Sequence, residues 1–343
     1  MINRPIRCGV VGVGRMGSHH ARLYAEAEGA ELVGVVDTNP QRRREAEARL
    51  GVEAFETVAQ LLEKQIDAAS IATPTESHRA VGEPLLGAQV ACLIEKPLAP
   101  DIEEANAIAE AGERSGAVLQ VGHVLRYDPV TMAIRSLPEF RPRFIEVHRV
   151  SPMTFRSVDV GVVLDMMIHD IDVLLMLLGA EPQDVQANAV SVFGDSEDVC
   201  NARLTFAPDS DGMSCVANVT ASRLALKTER KIRLISEDAY VSADFVKRSG
   251  TVVRRTANAE QLAEIRKRLE VGEDLSHVDY LSLVKVEPLA VGDGDPLKLQ
   301  IEDFLSAVRS HRRATVDVQA GCAAVRTATR IVAAAQTAGA KRV

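Results

Sequence analysis

Asp165, His169 and Asp172 stand at i, i+4 and i+7 within VGVVLDMMIHDIDVLLMLLG, residues 160–179. On a helix that spacing puts all three side chains on one face. Leu164, Met167, Ile168, Ile171, Leu174, Leu175 and Leu178 fill most of the remaining surface, so the helix is expected to be largely buried. Ionisable groups on an apolar helix lose solvation unless they pair or line a cavity. Desolvation also tunes a histidine toward proton abstraction near neutral pH. The arrangement fits a general base beside an orienting carboxylate, or an Asp–His–Asp cluster that only satisfies itself. Asp170 falls off the stripe and reads as a surface or capping carboxylate.

Two further groups belong to the same chemistry. Lys96, in Glu95-Lys96-Pro97, follows a predicted strand. A lysine held partly desolvated there can donate to a hydroxyl and stabilise the oxygen as its proton leaves. A plain surface pair with Glu95 is the alternative. Arg126, in GHVLRYDP, is placed either to bind substrate oxygens or to anchor a domain junction through carboxylates. A base, a hydroxyl donor and a dry pocket are what nicotinamide-dependent oxidation of an alcohol requires.

The elements that must carry these groups fall into two series. Ile6 to Gly12 is an apolar run ending in Gly12-Val13-Gly14-Arg15-Met16-Gly17. A strand, a glycine turn and a helix in that order are the context of a dinucleotide fingerprint. Gly12 permits the tight turn, Gly14 lets the backbone approach a pyrophosphate, and Gly17 lets helix and strand pack closely. The helix starting at Arg15 and Met16 offers its free N–H groups to the phosphates. A second strand, 31–36, ends at Asp37, twenty residues after Gly17. A carboxylate there binds ribose hydroxyls and repels a 2′-phosphate, which favours NAD over NADP. Arg42, Arg43 and Arg44 could soften that preference, though a solvated helix face accounts for them more simply.

Alternation continues with strands at 67–73, 91–95 and 118–123 and helices at 77–87 and 101–116. Asp101 with Glu104 resembles a capping box. Such alternation means a doubly wound parallel sheet, whose ligands sit beyond the carboxyl ends of the strands. Those ends carry Gly12 to Gly17, Asp37, Thr73-Pro74-Thr75, Glu95-Lys96-Pro97 and Gly122-His123. Beyond His123, period-two segments take over at 144–150, 185–193, 199–206, 214–222, 231–236, 240–245 and 251–255. They imply an antiparallel or mixed sheet whose main cover is the 160–179 helix. A surface helix at 258–271 and two closing helices at 296–310 and 318–337 follow. The expected fold is α/β, with a Rossmann domain over 1–122 and an α+β substrate domain over 123–343.

Composition agrees. A chain of 343 residues suggests two domains, and 46% hydrophobic residues supply their cores. A net charge of −8 argues against nucleic acid as a partner but leaves room for a local basic pocket. Cys8, Cys92, Cys200, Cys215 and Cys322 have no C-x-x-C spacing, so a reduced cytosol is expected rather than disulfides or a metal site. The N-terminal apolar run is too short and Gly-rich for a signal peptide, and the charged stripe of 160–179 excludes a membrane span. The chain is expected to be cytoplasmic.

Together, VGVGRMGSHHA, Asp37, ATPTESH, EKPLA, GHVLRYDP and the D-x-x-x-H-x-x-D helix resemble the Gfo/Idh/MocA oxidoreductases over nearly the whole chain. The resemblance implies Lys96, Asp165 and His169 as catalytic residues and a cis bond before Pro97. It implies cofactor contacts from Gly12, Gly14, Arg15, Met16, Gly17, Asp37, Thr73, Pro74, Thr75, His78, Glu95 and Lys96. The C-terminal sheet would be large and open, and would mediate a homodimer or homotetramer. Val162 and Val163 depart from a glycine triplet common in the family and imply a bulkier pocket wall. Thr75 stands where Asn is common, and Tyr127-Asp128 replace Phe-Asn.

The run HRVSPMTFRSVDVGVVLDMMIHDID is similar to a subgroup acting on nucleotide-linked amino sugars, and Arg143, Arg149 and Arg156 would suit a diphosphate. The implied activity is NAD-dependent oxidation of a secondary hydroxyl, the 3-hydroxyl of UDP-N-acetylglucosamine or a related sugar. Substrate contacts would come from Lys96, Arg126, Arg149, Arg156, Asp165 and His169. A dehydrogenase of free polyols or hexoses such as inositol, or a non-catalytic sensor of NAD and sugar, are the alternatives.

Overall fold

Strand β1 (Ile6–Val11) is buried almost throughout because β2 (Ala30–Val36) and β4 (Ala68–Ile71) pair with it in parallel while helices cover the sheet. The computed structural model describes residues 4–154, 160–338 and 341–342. The first series continues through α1 (Arg15–Glu26), α2 (Pro40–Leu50), β3 (Glu53–Phe55), α3 (Val58–Leu62), α4 (His78–Gly87), β5 (Ala91–Glu95), α5 (Ile102–Ser115) and β6 (Leu119–Gly122). It builds a six-stranded parallel sheet in the order β3-β2-β1-β4-β5-β6. The order switches direction between β1 and β4, and the crevice at that switch point is shared by the glycine turn and Asp37.

Local chemistry fixes the helix ends. The Asn39 side chain accepts from the N–H groups of Gln41 and Arg42, Pro40 fills the first turn of α2, and left-handed Gly51 closes it. Asp101 caps α5 through the N–H of Glu104. The expected box is only half formed, because the Glu104 carboxylate takes Arg79 of α4 instead. At the fingerprint the fit is tight. A Cβ on Gly12 (φ +83°) would lie 2.7 Å from Ala72 O, and one on Gly17 would lie 1.7 Å from Gly12 O. Gly17→Ala must therefore push α1 away from β1. It is expected to destabilise the protein by about 3 kcal/mol or more and to abolish dinucleotide binding. Thermal melts and a cofactor titration check this; a wild-type melting curve would show that the turn can relax.

After β6, α6 (Pro129–Arg135) leads to β7 (Phe144–Val150), a π-helical turn at Val163–Met167 and α7 (Ile168–Leu178). Then come β8 (Asp184–Ser191), β9 (Val199–Thr205), β10 (Val216–Ser222), β11 (Glu229–Ile235), β12 (Ala239–Asp244), β13 (Ser249–Arg255) and α8 (Ala259–Glu270). β14 (Val284–Pro288), α9 (Pro296–Ser310), α10 (Val318–Thr337) and β15 (Lys341–Arg342) complete the order. The nine strands run β14-β13-β12-β11-β7-β10-β9-β8-β15. Pairing is mostly antiparallel, with β7–β10 and β8–β15 parallel. Every second residue of β10 is buried, so one face is covered and the other open.

The cover is shared. α7 does not act alone, because α10 packs on β8, on α7 and on α5. Small residues let α10 approach closely: a Cβ on Gly321 would come within 2.8 Å of Val121 in β6. The chain also returns across residue 122. Ile301, Phe304, Leu305 and Val308 of α9 share an apolar cluster with Ile6, Cys8 and Val10 of β1, and Val121 N–H donates to Val316 O at 2.9 Å. Residues 296–316 thus pack with the first sheet. Amphipathicity shows which face of a helix is buried, but not against what. Among the described residues no helix is long and apolar enough to cross a membrane.

Candidate functional site

β5 ends at Glu95, so the next residue, Lys96, projects over the carboxyl edge of the parallel sheet, and the Lys96–Pro97 bond is cis. Lys96 Nζ donates to the main-chain oxygen of Asp165 at 2.7 Å and lies 3.6 Å from Asp165 Oδ1. This contact joins the two halves of the chain. The segment expected as one α-helix begins with the wider π winding of Val163–Met167, so Asp165 is out of strict line with His169 and Asp172. Burial pulls the Lys96 ammonium below the usual lysine value, against the pull of Asp165 and Glu95.

The surface pair of Glu95 with Lys96 is not formed. The buried Glu95 carboxylate lies 3.0 Å from His20 Nε2 and accepts the Lys96 N–H at 3.2 Å. His20 Nδ1 is 2.9 Å from Ser70 Oγ, which in turn is 2.8 Å from the Tyr24 hydroxyl. Burial works against ionisation of Glu95, but the contacts with His20 and Lys96 outweigh it and hold its pKa below the usual carboxylate value. Sequence reasoning missed this network. Its only trace was a polar His20 and Ser70 inside apolar surroundings.

His169, half-buried at the start of α7, feels burial first and then the charges of Lys96 and Arg149. Together they hold its pKa well below the ordinary value, so the imidazole is neutral at neutral pH. Its Nδ1 is buried without a partner among the described residues, which leaves Nε2 to face the cleft. His123, just past β6, is fully buried with neither ring nitrogen partnered among the described residues. The Asp165 side chain is 38% exposed, open to a ligand.

Several expected contacts resolve into structure. Arg126 forms a two-pronged pair with the fully buried Asp172, at 2.6 and 2.8 Å, and so anchors the junction. Asp172→Asn leaves that guanidinium uncompensated, and a stability loss of about 3 kcal/mol is expected. Chemical denaturation measures it; a change within about 0.5 kcal/mol, the ordinary surface range, would contradict the assignment. Asp170 is not a surface carboxylate: it is 4% exposed and grips Arg149 at 2.6 and 2.7 Å. The Arg149 fork is thereby spent and is not free for a diphosphate. Arg143 sits at the opposite end of β7, 2.5 Å from Asp209. Arg156 lies outside the described residues.

Val162 and Val163 are fully buried in the core and build no bulkier pocket wall. The turn aims them inward because Glu197 occupies the other side, accepting the Val163 N–H at 3.1 Å. A Cβ on Gly161 would meet that carboxylate at 2.1 Å.

The crevice of the first sheet fits a dinucleotide. No side chain caps α1, so its first N–H groups are open to an anion. A Cβ on Gly14 would meet only the tip of Arg42, at 3.9 Å. Asp37 accepts from the N–H groups of Val13 (3.0 Å) and Asn39 (2.8 Å), which aims its carboxylate and leaves lone pairs for ribose hydroxyls. Arg42 is exposed, as a solvated helix face requires, and its guanidinium comes within 3.8 Å of that carboxylate. Thr73 Oγ1, beyond β4, is buried without a partner among the described residues. His78 differs from expectation: its two nitrogens face Thr73 O and Leu98 O, both at 3.1 Å. It braces the loops beside Pro74 and Thr75 rather than reaching the crevice.

Known proteins share this arrangement. Residues 6–123 match the family model described as oxidoreductase family, NAD-binding Rossmann fold, and residues 141–242 match the GFO/IDH/MocA C-terminal domain. The chain is 37% identical to UDP-N-acetylglucosamine 3-dehydrogenase of Acidithiobacillus ferrooxidans, over 92% of this chain and 93% of that one. A solved structure of that enzyme superposes with a TM-score of 0.85 at 36% identity, covering 97% of this chain and 98% of the other. The NAD(+)-dependent scyllo-inositol 2-dehydrogenase of Bacillus subtilis is 33% identical over 53% of this chain and 57% of its own. Levoglucosan dehydrogenase, solved with NADH and levoglucosan, shares the fold at 18% identity and a TM-score of 0.78, with 97% of each chain covered.

Proposed function

Since the chain belongs to the GFO/IDH/MocA oxidoreductase family, whose N-terminal part is an NAD-binding Rossmann fold, we propose that it oxidises the 3-hydroxyl of UDP-N-acetylglucosamine to a ketone. One observation carries the chemistry. Lys96, from the first sheet, is bonded to Asp165 at the mouth of the second, with its charge on a neutral His169. Identity of 37% over 92% of the chain with the nucleotide-sugar enzyme supports the substrate, whereas the inositol dehydrogenases match at 26–33% over 53–72% of it.

NAD held in the crevice of the first sheet would supply the acceptor for a hydride from the carbinol carbon. The protein does the rest. The Lys96 ammonium donates to the hydroxyl oxygen and stabilises negative charge as the O–H bond breaks. His169 takes the proton at Nε2. Asp165 holds Lys96 in place and offers an acceptor to a neighbouring sugar group. The turn from Gly12 to Gly17 would hold the pyrophosphate and Asp37 the adenosine ribose, and Thr73 to Thr75 with Glu95 and Lys96 would line the path to the nicotinamide. Self-association belongs on the open face of the nine-stranded sheet. Its register sets Ile235, Tyr240, Val253 and Val286 side by side across four strands. Five free cysteines, all buried, support a reducing cytoplasm.

Pure protein incubated with NAD and UDP-N-acetylglucosamine, myo-inositol, scyllo-inositol or glucose tests the reading through the absorbance of reduced cofactor. Turnover of the nucleotide sugar is expected. Turnover of inositol with none of the nucleotide sugar would contradict it.

A further inference from the structure

We propose that Arg230 receives the diphosphate of the nucleotide sugar, an assignment that rests on the function above and deepens it. The register of β11 on β7 sets Arg230 opposite Arg149, Ile232 opposite Val147 and Leu234 opposite Ile145. The four apolar residues are buried beneath the helices. Period-two alternation therefore puts both guanidiniums on that same covered face, one step past the end of the core.

Like charges directly opposed across a strand pair destabilise it. Arg149 is answered by its two-pronged pair with Asp170. Arg230 is not: it is exposed, and its guanidinium makes no hydrogen bond or ion pair among the described residues. Its neighbours Lys227 and Lys231 both have Glu229 as partner. The carboxylates that face it are Asp170, already spent, and Asp128, which accepts from Val130 N–H. Arg149, directly opposite Arg230, is held by Asp170, the residue that follows His169, so the open guanidinium stands on the side of the sheet that faces the catalytic helix. A free guanidinium fork matches phosphate oxygens, and an uncharged polyol offers it nothing to neutralise.

The test uses the NAD-loaded wild type, Arg230→Gln and Arg230→Lys. Steady-state turnover is measured with UDP-N-acetylglucosamine and with free N-acetylglucosamine, and UDP binding by calorimetry. In Arg230→Gln, KM for the nucleotide sugar and Kd for UDP are expected to rise about ten- to hundredfold, the range of a hydrogen bond to a charged group. KM for the free sugar moves far less, Arg230→Lys recovers part of the loss, and an unchanged Kd for NAD shows that the variant is folded. UDP binding Arg230→Gln as tightly as wild type would overturn the assignment while leaving the function in place. Should wild type turn over no nucleotide sugar, the proposed function fails and the UDP titration alone decides on Arg230. Weaker binding by the variant then supports an anion site, and equal binding, or none by either protein, overturns it.

Discussion

Lys96→Met is expected to lower kcat about a thousandfold, a barrier increase of about 4 kcal/mol, while NAD still binds. The ammonium is placed by main-chain geometry: the carboxyl end of β5 aims it, and the Asp165 carbonyl fixes its tip at 2.7 Å. Methionine keeps the length and the apolar stem but cannot donate, so only the stabilisation of the developing oxygen anion is removed. Binding of NAD by calorimetry and kcat from cofactor absorbance separate the two effects. A variant with near wild-type kcat would mean that Lys96 is merely structural. Wild-type kcat/KM should also decline on the alkaline side below the ordinary lysine value, because burial depresses the Lys96 pKa and the deprotonated amine loses the charge.

The second large effect is at His169. His169→Gln should lower kcat by about a hundredfold to a thousandfold, within the range of general acid–base catalysis, and remove the acidic limb of the pH profile. The sign follows from burial and from Lys96 and Arg149, which keep the imidazole well below its usual pKa. The base is active when neutral, so wild-type activity persists through neutral pH and falls only under acid conditions below the ordinary histidine range. Glutamine cannot accept the proton, so that limb should vanish while the alkaline limb of Lys96 stays. An acidic limb unchanged in the variant would assign the proton to another group.

The parallel sheet was legible because each of its main strands is a short apolar run bounded by turn residues, and because the glycine turn and Asp37 need only local chemistry to be read. β3 escaped notice: three residues are too few to show a period. The period-two strands of the second sheet declared themselves through alternation, yet their order did not, since alternation sets a face and not a neighbour. Side-chain spacing likewise placed Asp165, His169 and Asp172 on one helix. It could not show the π turn, which is a matter of main-chain bonding and brings the Asp165 carbonyl to Lys96.

Charged residues were the least legible. Asp170 looked peripheral on the helix but is buried by a strand 21 residues earlier in the chain. Arg149, expected to meet substrate, is consumed by that pair, while Arg230 on the facing strand is left open. Only strand register decides which of the two guanidiniums is free. Arg126 shows the converse: of its two expected roles, substrate contact or anchor of the junction, the buried Asp172 pair favours the anchor. The Glu95–His20–Ser70–Tyr24 chain spans β5, α1 and β4, and no local pattern links those positions.

The central claim is that Lys96 and His169 act together on one carbinol, at carbon 3 of UDP-N-acetylglucosamine. Wild-type enzyme should be given NAD and the nucleotide sugar deuterated at carbon 3, and both products examined by mass spectrometry. The deuterium is expected in the reduced cofactor, the sugar is expected as a ketone, and kcat is expected to fall relative to the unlabelled substrate. Deuterium retained in the sugar while reduced cofactor accumulates would place the oxidation at another carbon and contradict that claim.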